Sequence, residues 1–151
     1  MTEKLKFRLA KMDDIEKLVD INTGNEHKYR SVNFRMFRQL IPKNLVMVCE
    51  LDEIVVGLLY WNSEFLDRTD SFYLSQITID KEYRSKGYGV LLLKYFLKYA
   101  KKKGAKKVFA LVEDKNKASL STCYKAGGIK SGILLGFGKQ KKRIIIRFES
   151  G

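Results

Sequence analysis

The sequence predicts an α/β protein with a mixed central sheet of about six to seven strands flanked by about four helices. Apolar runs with a period of two alternate along the chain with longer segments of helical period. A strand, a glycine turn and a long amphipathic helix follow one another in residues 72–102, which predicts a parallel step across that helix. At 151 residues the chain has the length of one domain, so we expect residues 1–151 to form a single domain.

The first elements are a short strand and a helix. Apolar and basic residues alternate over residues 4–9, which predicts a strand with one buried face. A helical period then follows from Met12 to Gly24, which is a suitable end for a helix. The positions with this spacing are Ile15, Leu18, Val19 and the polar Asn22.

A second helix and a hairpin come next. The helix is expected around residues 34–41, before Pro42 stops it. Two apolar runs, residues 45–51 and 54–61, are joined by two acidic residues only, which indicates a β-hairpin with a tight turn.

The second half begins with a strand over residues 72–79, the glycine turn at residues 84–89 and a helix over residues 90–102. Gly104 ends that helix. Its predicted apolar face consists of Leu91, Leu92, Tyr95, Phe96 and Tyr99.

The last elements are a strand, a helix and two strands. They are predicted at residues 107–113, 116–125, 133–135 and 143–149. The complete order is therefore β, α, α, β, β, β, α, β, α, β, β.

Composition excludes several classes of protein. Hydrophobic residues make up 45% of the chain, so disorder is not expected. The chain has no apolar run of membrane-spanning length and its first residues are charged, so we expect a cytoplasmic protein. The single His27 and the separated Cys49 and Cys123 lack metal-ligand spacing, so we expect reduced thiols and no metal.

Charge is distributed unevenly. The net charge is +13, and residues 81–151 contribute 19 basic and 4 acidic side chains to it. Such a positive half attracts a polyanion, either a nucleic acid or a phosphorylated small molecule. The aromatics among the lysines of the helix over residues 90–102 are assigned to its apolar face and not to stacking on bases, so nucleic acid is the disfavoured partner.

The turn of residues 84–89 is the best candidate for an anion site. Its sequence is Arg84, Ser85, Lys86, Gly87, Tyr88 and Gly89. It precedes a helix, whose first N–H groups lack intrahelical partners, and glycine lets the backbone approach a diphosphate. Leu92 stands where a dinucleotide-binding fingerprint needs its third glycine, and Tyr88 follows Gly87 where a P-loop needs lysine.

This turn resembles the signature of the GNAT superfamily of N-acetyltransferases, which reads Arg or Gln, two residues, Gly, one residue, then Gly or Ala. The resemblance extends back through residues 76–80 and forward to Asn116, Ser119 and the Lys125-Ala126-Gly127 segment. It implies a GNAT-like sheet whose fourth and fifth strands splay apart, with acetyl-CoA as co-substrate and an amine as acceptor. The cofactor-binding residues that it implies are Ile77, Thr78, Ile79, Arg84, Ser85, Lys86, Gly87, Tyr88, Gly89, Asn116 and Ser119.

The resemblance also points to a general acid. In this family a tyrosine in the last helix usually supplies the proton, but here Cys123 occupies its place and Tyr124 follows one residue later. One residue corresponds to a rotation of about 100° on a helix, so the two side chains cannot both face the thioester. Tyr124 has the better proton-donating chemistry and is the predicted catalytic residue. The base is a water chain or Glu113.

Two functions remain open at this point. The first is transfer of an acetyl group from acetyl-CoA to a primary amine of a small molecule or a protein, by direct attack in a ternary complex. The second is a non-catalytic acyl-CoA-sensing or nucleic-acid-associated module, which the basic half and the displaced tyrosine favour. In this family residues 21–44 would build the acceptor pocket, and the sequence is compatible with a homodimer.

Overall fold

The computed structural model describes residues 4–137 and 141–149. These residues form four α-helices and seven strands in the predicted order. The helices are α1 (Ile15–Thr23), α2 (Arg30–Leu40), α3 (Tyr88–Lys102) and α4 (Lys117–Lys125). The strands are β1 (Leu5–Leu9), β2 (Val46–Leu51), β3 (Ile54–Asn62), β4 (Ser71–Ile79), β5 (Lys107–Glu113), β6 (Ile129–Phe137) and β7 (Lys141–Glu149).

The seven strands form one mixed sheet in the order β1-β2-β3-β4-β5-β7-β6. The pairing of β4 with β5 is parallel, whereas β1 with β2, β2 with β3, and β7 with both β5 and β6 are antiparallel. The β4–β5 register ends at Leu74 and Ala110, although β4 continues to Ile79 and β5 to Glu113. The predicted fold class is confirmed, including the splayed fourth and fifth strands.

The chain divides into two compact units. The first unit comprises Met1–Trp61 and Gln76–Leu92, and the second comprises Asn62–Ser75 and Leu93–Gly151. Strand β4 and helix α3 each contribute residues to both units.

The core of the first unit lies between its two helices and its strands. Leu18, Val19 and Phe37 of α1 and α2 are fully buried against Val48 and Leu58 of β2 and β3. The ring of Phe37 meets the ring of Tyr60 edge to face, with 5.7 Å between the centroids. Burial of five such side chains contributes roughly 8–15 kcal/mol of hydrophobic stabilisation, at about 1.5–3 kcal/mol each.

The β2–β3 hairpin has the predicted two-residue turn. Asp52 and Glu53 both have positive φ, at 49° and 71°. This backbone matches the twist of the flanking strands, which is why two residues suffice to reverse the chain.

The second unit is built on β5 and β7. Val108 and Ala110 of β5 and Ile146 and Phe148 of β7 are buried along one face, two residues apart on each strand. The ring of Phe65, in the loop before β4, stacks on Tyr73, with the centroids 5.5 Å apart. In β5 and β7 the apolar residues alternate with other residues, and this period of two predicted both strands from the sequence.

Three predicted elements differ in detail from the structure. Helix α2 begins at Arg30, before the apolar positions that indicated it. The buried positions of α3 are Leu92, Leu93, Phe96 and Ala100, whereas the predicted core residues Leu91 and Tyr95 are 46% and 41% exposed. Strand β6 runs from Ile129 to Phe137 rather than over residues 133–135, with register shifts at two places.

In the described part of the chain, no helix has the length and apolar character needed to cross a membrane.

Candidate functional site

The predicted anion turn, residues 84–89, leads into α3 in the first unit, and its last two residues, Tyr88 and Gly89, are the first two of the helix. Ser85 and Gly87 both have positive φ, at 64° and 83°, and α3 begins at Tyr88. A Cβ on Gly87 would have no heavy atom within 4 Å, so its φ and not crowding explains the glycine. Residues 84–87 of the turn are exposed and Tyr88 and Gly89 are half-buried. The N–H groups that begin a helix have no intrahelical acceptor, so an anion can bind to them.

One hydrogen bond holds the turn to the end of β4, and two more fix Asp80, which follows that strand. The guanidinium Nε of Arg84 donates to the carbonyl oxygen of Ile79 over 2.9 Å. The carboxylate of Asp80 accepts from the backbone N–H of Glu82 over 3.2 Å, and Asp80 itself donates its N–H to Val56 of β3 over 2.8 Å. Arg84 therefore acts at least in part by anchoring the turn, since its Nε is already bonded to the strand.

The end of β4 brings Ile77, Thr78 and Ile79 beside this turn, and all three are half-buried. Gly57 of β3 makes the close approach of the strands possible. A Cβ on Gly57 would lie 2.5 Å from Cδ1 of Ile79 and 2.9 Å from Sγ of Cys49. A side chain at position 57 would force the side chains of Ile79 and Cys49 to shift, and Ile79 belongs to the segment of β4 that the family resemblance assigns to the thioester arm.

A cluster of uncharged polar side chains joins β4 to α1 and α2, and sequence reasoning missed it. The hydroxyl of Thr78 donates to the amide oxygen of Asn22 over 3.2 Å and accepts from Nε2 of Gln76 over 3.3 Å. The amide nitrogen of Asn22 donates to Oδ1 of Asn33 over 2.6 Å. The available signal was Asn22 itself, a polar residue at an inward position of an amphipathic helix.

Helix α4, in the second unit, carries the remaining predicted residues. The side-chain oxygen of Asn116 accepts from the N–H of Ser119 over 3.2 Å, so Asn116 is the N-cap of the helix. This role explains both the asparagine and its spacing from Ser119 without a ligand.

Tyr124 and Cys123 are in different surroundings. Tyr124 is 43% exposed, whereas Cys123 is 2% exposed. Burial raises the pKa of the Cys123 thiol to about 11. At neutral pH this thiol is therefore neutral and enclosed.

Tyr124 lines an open groove of about 540 Å³ in the second unit. The groove is lined mainly by one face of α4 and by single residues that follow or lie in β5, β6 and β7. These residues are Asp114, Lys117, Leu120, Ser121, Tyr124, Lys125, Lys130 and Ile144. Three lysines and one aspartate make the groove positive.

The candidate base Glu113 lies at the end of β5, where Nζ of Lys141 is 3.4 Å from its carboxylate. The pair is exposed, as expected for an acid at a strand end. Cys49 and Cys123 are free thiols, and no group of three or more metal-ligating side chains occurs among residues 4–137 and 141–149.

The predicted site residues therefore form two sets. The first unit holds the end of β4, residues 77–79, and the turn, residues 84–89. The bond from Arg84 to Ile79 joins these two segments. The second unit holds Asn116, Ser119 and Tyr124 on α4.

Comparison with known protein structures gives the same fold. A GNAT-family acetyltransferase from Bacillus cereus has a TM-score of 0.81 and 22% identity, over 97% of both chains. The yncA protein of Salmonella typhimurium, solved with its cofactor acetyl-CoA, has a TM-score of 0.80 and 15% identity over 97% of this chain and 94% of that chain. A ribosomal-protein-alanine N-acetyltransferase from Brucella melitensis has a TM-score of 0.79 and 19% identity over 95% and 99%.

At the level of sequence, no curated protein has a significant match to this chain. The model of the acetyltransferase (GNAT) family, in contrast, matches residues 10–127, which include α1 to α4 and the turn before α3. The match covers well over half of the 151 residues. This chain belongs to the GNAT family of acetyltransferases.

Proposed function

We propose that this protein transfers the acetyl group of acetyl-CoA to a primary amine of a small molecule or a protein, by direct attack in a ternary complex. The observation that carries the proposal is the turn before α3. Positive φ at Ser85 and Gly87 and the bond from Arg84 to Ile79 aim a helix N-terminus at solvent beside the end of β4. A diphosphate fits such a terminus because its charge meets backbone donors and the positive end of the helix dipole.

The cofactor contacts would then follow the order of the chain. Residues 84–89 would hold the diphosphate, with Lys86 adding charge. The backbone of Ile77, Thr78 and Ile79 would bond to the thioester arm. Asn116 and Ser119 would contribute from the start of α4, in addition to the capping bond that they already form.

The reaction needs a neutral amine, a donor for the developing oxyanion and a proton for the departing thiolate. The nitrogen lone pair forms the bond to the thioester carbonyl carbon, and the C–S bond breaks with its electron pair on sulfur. A backbone N–H of β4 is the proposed oxyanion donor. Water, rather than Glu113, is the proposed route for the proton that the amine loses, since Glu113 is already paired with Lys141.

Tyr124 is the proposed donor of the proton to the thiolate. Its support is the family resemblance together with its exposure of 43%, against 2% for Cys123. A buried thiol whose pKa is raised to about 11 would give up a proton less readily than an ordinary thiol.

Binding and transfer are tested separately. Acetyl-CoA at about 100 times its dissociation constant should stabilise the protein by about 2.7 kcal/mol, which raises the melting temperature by several degrees. Release of CoA thiol in the presence of a panel of primary amines then measures transfer. Absence of a thermal shift would contradict acetyl-CoA binding, and absence of thiol release with every amine would contradict transfer.

Gly87→Ala and Gly104→Ala form a matched pair for the binding test. Both glycines have positive φ, at 83° and 95°, and neither would place a Cβ within 4 Å of another atom. Both variants should therefore lose similar stability, about 1 kcal/mol. Only Gly87→Ala, in the turn, should also weaken acetyl-CoA binding.

The alternative function is an acyl-CoA-sensing or nucleic-acid-associated module without transfer. The positive groove and the basic second unit favour it. It predicts the same thermal shift with acetyl-CoA but no thiol release with any amine, or a salt-dependent gel shift with generic RNA.

Three further expectations accompany the proposal. We propose that residues 1–151 act as one acetyltransferase domain, because the family match crosses both compact units. We also propose a cytoplasmic location, which suits two free and buried cysteines. A homodimer is compatible with this function, and light scattering would test it.

A further inference from the structure

The uncharged cluster of Asn22, Asn33, Gln76 and Thr78 carries an inference about the acceptor amine. It lies entirely in the first unit and includes Thr78, one of the three residues proposed to line the thioester arm. Gln76 is exposed and Thr78 is half-buried, so the cluster can be reached from solvent. Its α1 and α2 members belong to residues 21–44, the segment expected to build the acceptor pocket.

The cluster offers acceptors for an amine but no negative charge. In the described part of the chain, the hydroxyl oxygen of Thr78 accepts one hydrogen bond and the amide oxygen of Asn22 accepts one. Each oxygen has two lone pairs, so each can accept one more N–H. An amine held there would meet two neutral oxygens.

Two carboxylates near these elements, Asp20 and Asp80, are paired with cations, whereas Glu16 and Glu26 are exposed and take no part in the bonds of the cluster. Strands β3 and β4 and helix α2 contain no Asp or Glu. In α1, Asp20 is bonded to Arg30 at the start of α2. Asp80, after β4, lies 3.8 Å from Nζ of Lys17.

This arrangement affects which amines can react. A carboxylate beside a bound amine would stabilise the ammonium form, and it could also take the proton as a base. Neutral amide and hydroxyl oxygens stabilise the ammonium form much less than a carboxylate does, and they cannot take the proton as a base at neutral pH. The acceptor must therefore lose its proton before it reacts, and the fraction of free base in solution limits the rate.

We propose that the acceptor is a weakly basic primary amine, the α-amino group of an amino acid or of a peptide N-terminus, bound as the free base by Asn22 and Thr78. This inference rests on the proposed acetyl transfer. The free amine and acetyl-CoA give an N-acetyl amide and the CoA thiol, and the proton lost by nitrogen is matched by the proton gained by sulfur. No other reactant is required.

The size of the effect follows from ordinary pKa values. An α-amino group has a pKa of about 7.7–8.0 and a lysine side chain about 10.4, so at pH 7 their free-base fractions differ by roughly 200- to 400-fold. The lysine amine is the stronger base and therefore the better nucleophile once it has lost its proton, which offsets part of this difference in free-base fraction. We expect a net preference for the α-amine of about tenfold or more in kcat/KM.

The experiment compares two peptides of one sequence, each with a single primary amine. One has a free N-terminus and no lysine, and the other has an acetylated N-terminus and one lysine. CoA thiol release is measured against pH for both. The proposal predicts that the α-amine is preferred at neutral pH and that kcat/KM levels off near the pKa of each peptide's own amine.

Two results would overturn the inference while the proposed function stands. One is preference for the lysine peptide at neutral pH. The other is a plateau at the same pH for both peptides, since that would reveal an ionising base on the protein. Absence of thiol release with every amine would instead overturn the proposed transfer and this inference with it.

Variants of Asn22 test whether the cluster touches the acceptor. Asn22→Asp introduces a carboxylate, so the preference for the α-amine should fall several-fold. Asn22→Ala removes the hydrogen bonds without adding charge, so it should slow both peptides and leave their ratio unchanged. Acetyl-CoA binding measured by thermal shift confirms that each variant is folded. An unchanged ratio in Asn22→Asp would contradict the assignment of the cluster.

Discussion

Cys123 and Tyr124 are neighbours on α4, but one side chain is buried and the other is accessible to a ligand. Cys123 is enclosed by the second unit, and its carbonyl accepts the N–H of Gly128 over 2.9 Å. Tyr124 is turned toward the positive groove with Ser121 and Lys125. Burial leaves Cys123 with a structural role, while the phenol of Tyr124 stays accessible.

Tyr124→Phe should separate binding from proton transfer. If the phenol reprotonates the thiolate, kcat should fall about 100-fold or more, because general acid catalysis contributes factors of that order. The thermal shift with acetyl-CoA should stay unchanged. Stopped-flow or thiol-release kinetics measure the first effect.

The control for this variant is Cys123→Ala. It removes a buried thiol, so it should lower stability by about 1 kcal/mol and leave kcat nearly unchanged. The reverse pattern, with kcat lost in Cys123→Ala and retained in Tyr124→Phe, would move the proton donor to Cys123.

The Arg8 guanidinium is the centre of a charged contact in the first unit. It bonds to Asp14 after β1 over 2.8 Å and to Glu50 of β2 over 3.0 Å. Burial acts to raise the pKa of Asp14, but hydrogen bonds from Arg8 and from the N–H of Lys11 outweigh it and hold that pKa below its ordinary value. The contact fixes the start of α1 against the edge of the sheet.

Asp14→Asn should therefore be destabilising in a pH-dependent way. The lowered pKa in the folded state means that the carboxylate contributes stability above the unfolded-state value, near about 3.9, and loses it as the pH falls through the folded-state pKa. Thermal melting at neutral pH should show a loss of about 1–3 kcal/mol in the free energy of unfolding. This difference in stability between variant and wild type should disappear below about pH 4. Glu113→Gln, which breaks an exposed pair, should change stability by less than about 1 kcal/mol. A gap independent of pH would contradict the role of the Asp14 charge.

Among the elements, the contact between β3 and β4 sets the position of the proposed thioester strand. Gly57→Ala would place a methyl group 2.5 Å from Cδ1 of Ile79 and 2.9 Å from the Cys49 sulfur. We expect a loss of about 1–3 kcal/mol in the free energy of unfolding, because overpacking forces side chains and backbone to shift. Acetyl-CoA binding should weaken as well, since Ile79 anchors the turn through Arg84.

A double variant tests the cause of that loss. Ile79→Val removes the Cδ1 atom that the new methyl group would meet first. Gly57→Ala combined with Ile79→Val should therefore be less destabilised than the sum of the two single variants, by about 0.5–1 kcal/mol. Strict additivity would show that another contact causes the loss.

Elements with strong local signals were the ones that the sequence predicted well. The β2–β3 hairpin could be placed because two acidic residues separate two apolar runs. The end of α1 could be placed at Gly24 because glycine readily adopts the left-handed backbone that ends a helix, and its φ in the structure is 60°. Strand β5 matched its predicted bounds of residues 107–113. In each case neighbouring residues carry the information.

Features that depend on contacts distant in sequence were missed. Asn22 and Thr78 are 56 residues apart, and neither has a neighbour that indicates the bond between them. The extent of β6 was underestimated because Gly132 and Gly136 interrupt its alternation and the strand shifts register against β7. In α3, the exposure of Leu91 and Tyr95 depends on which face the sheet covers, which helical spacing alone does not specify.

At the scale of the whole molecule, charge separates the two units. The second unit carries 17 basic and 6 acidic side chains, a net +11, whereas the first carries 13 and 11, a net +2. The turn proposed to hold the diphosphate lies in the first unit, so its ligand would be attracted by the net charge of the whole chain, +13, before any contact forms. The field also opposes association of the second unit with cationic partners.

Salt should accordingly weaken the binding of acetyl-CoA. Raising the ionic strength from about 0.05 M to about 0.5 M shortens the screening length to a few ångströms, so we expect the dissociation constant to increase about three- to tenfold in a calorimetric titration. Acetyl-pantetheine, which has the thioester arm without phosphates, is the matched control, and its KM for transfer should be nearly independent of salt. Equal salt dependence of the two thioesters would mean that salt acts on the protein and not on the phosphates. No dependence for acetyl-CoA would show that its binding energy comes from the backbone donors at the start of α3 rather than from the basic side chains.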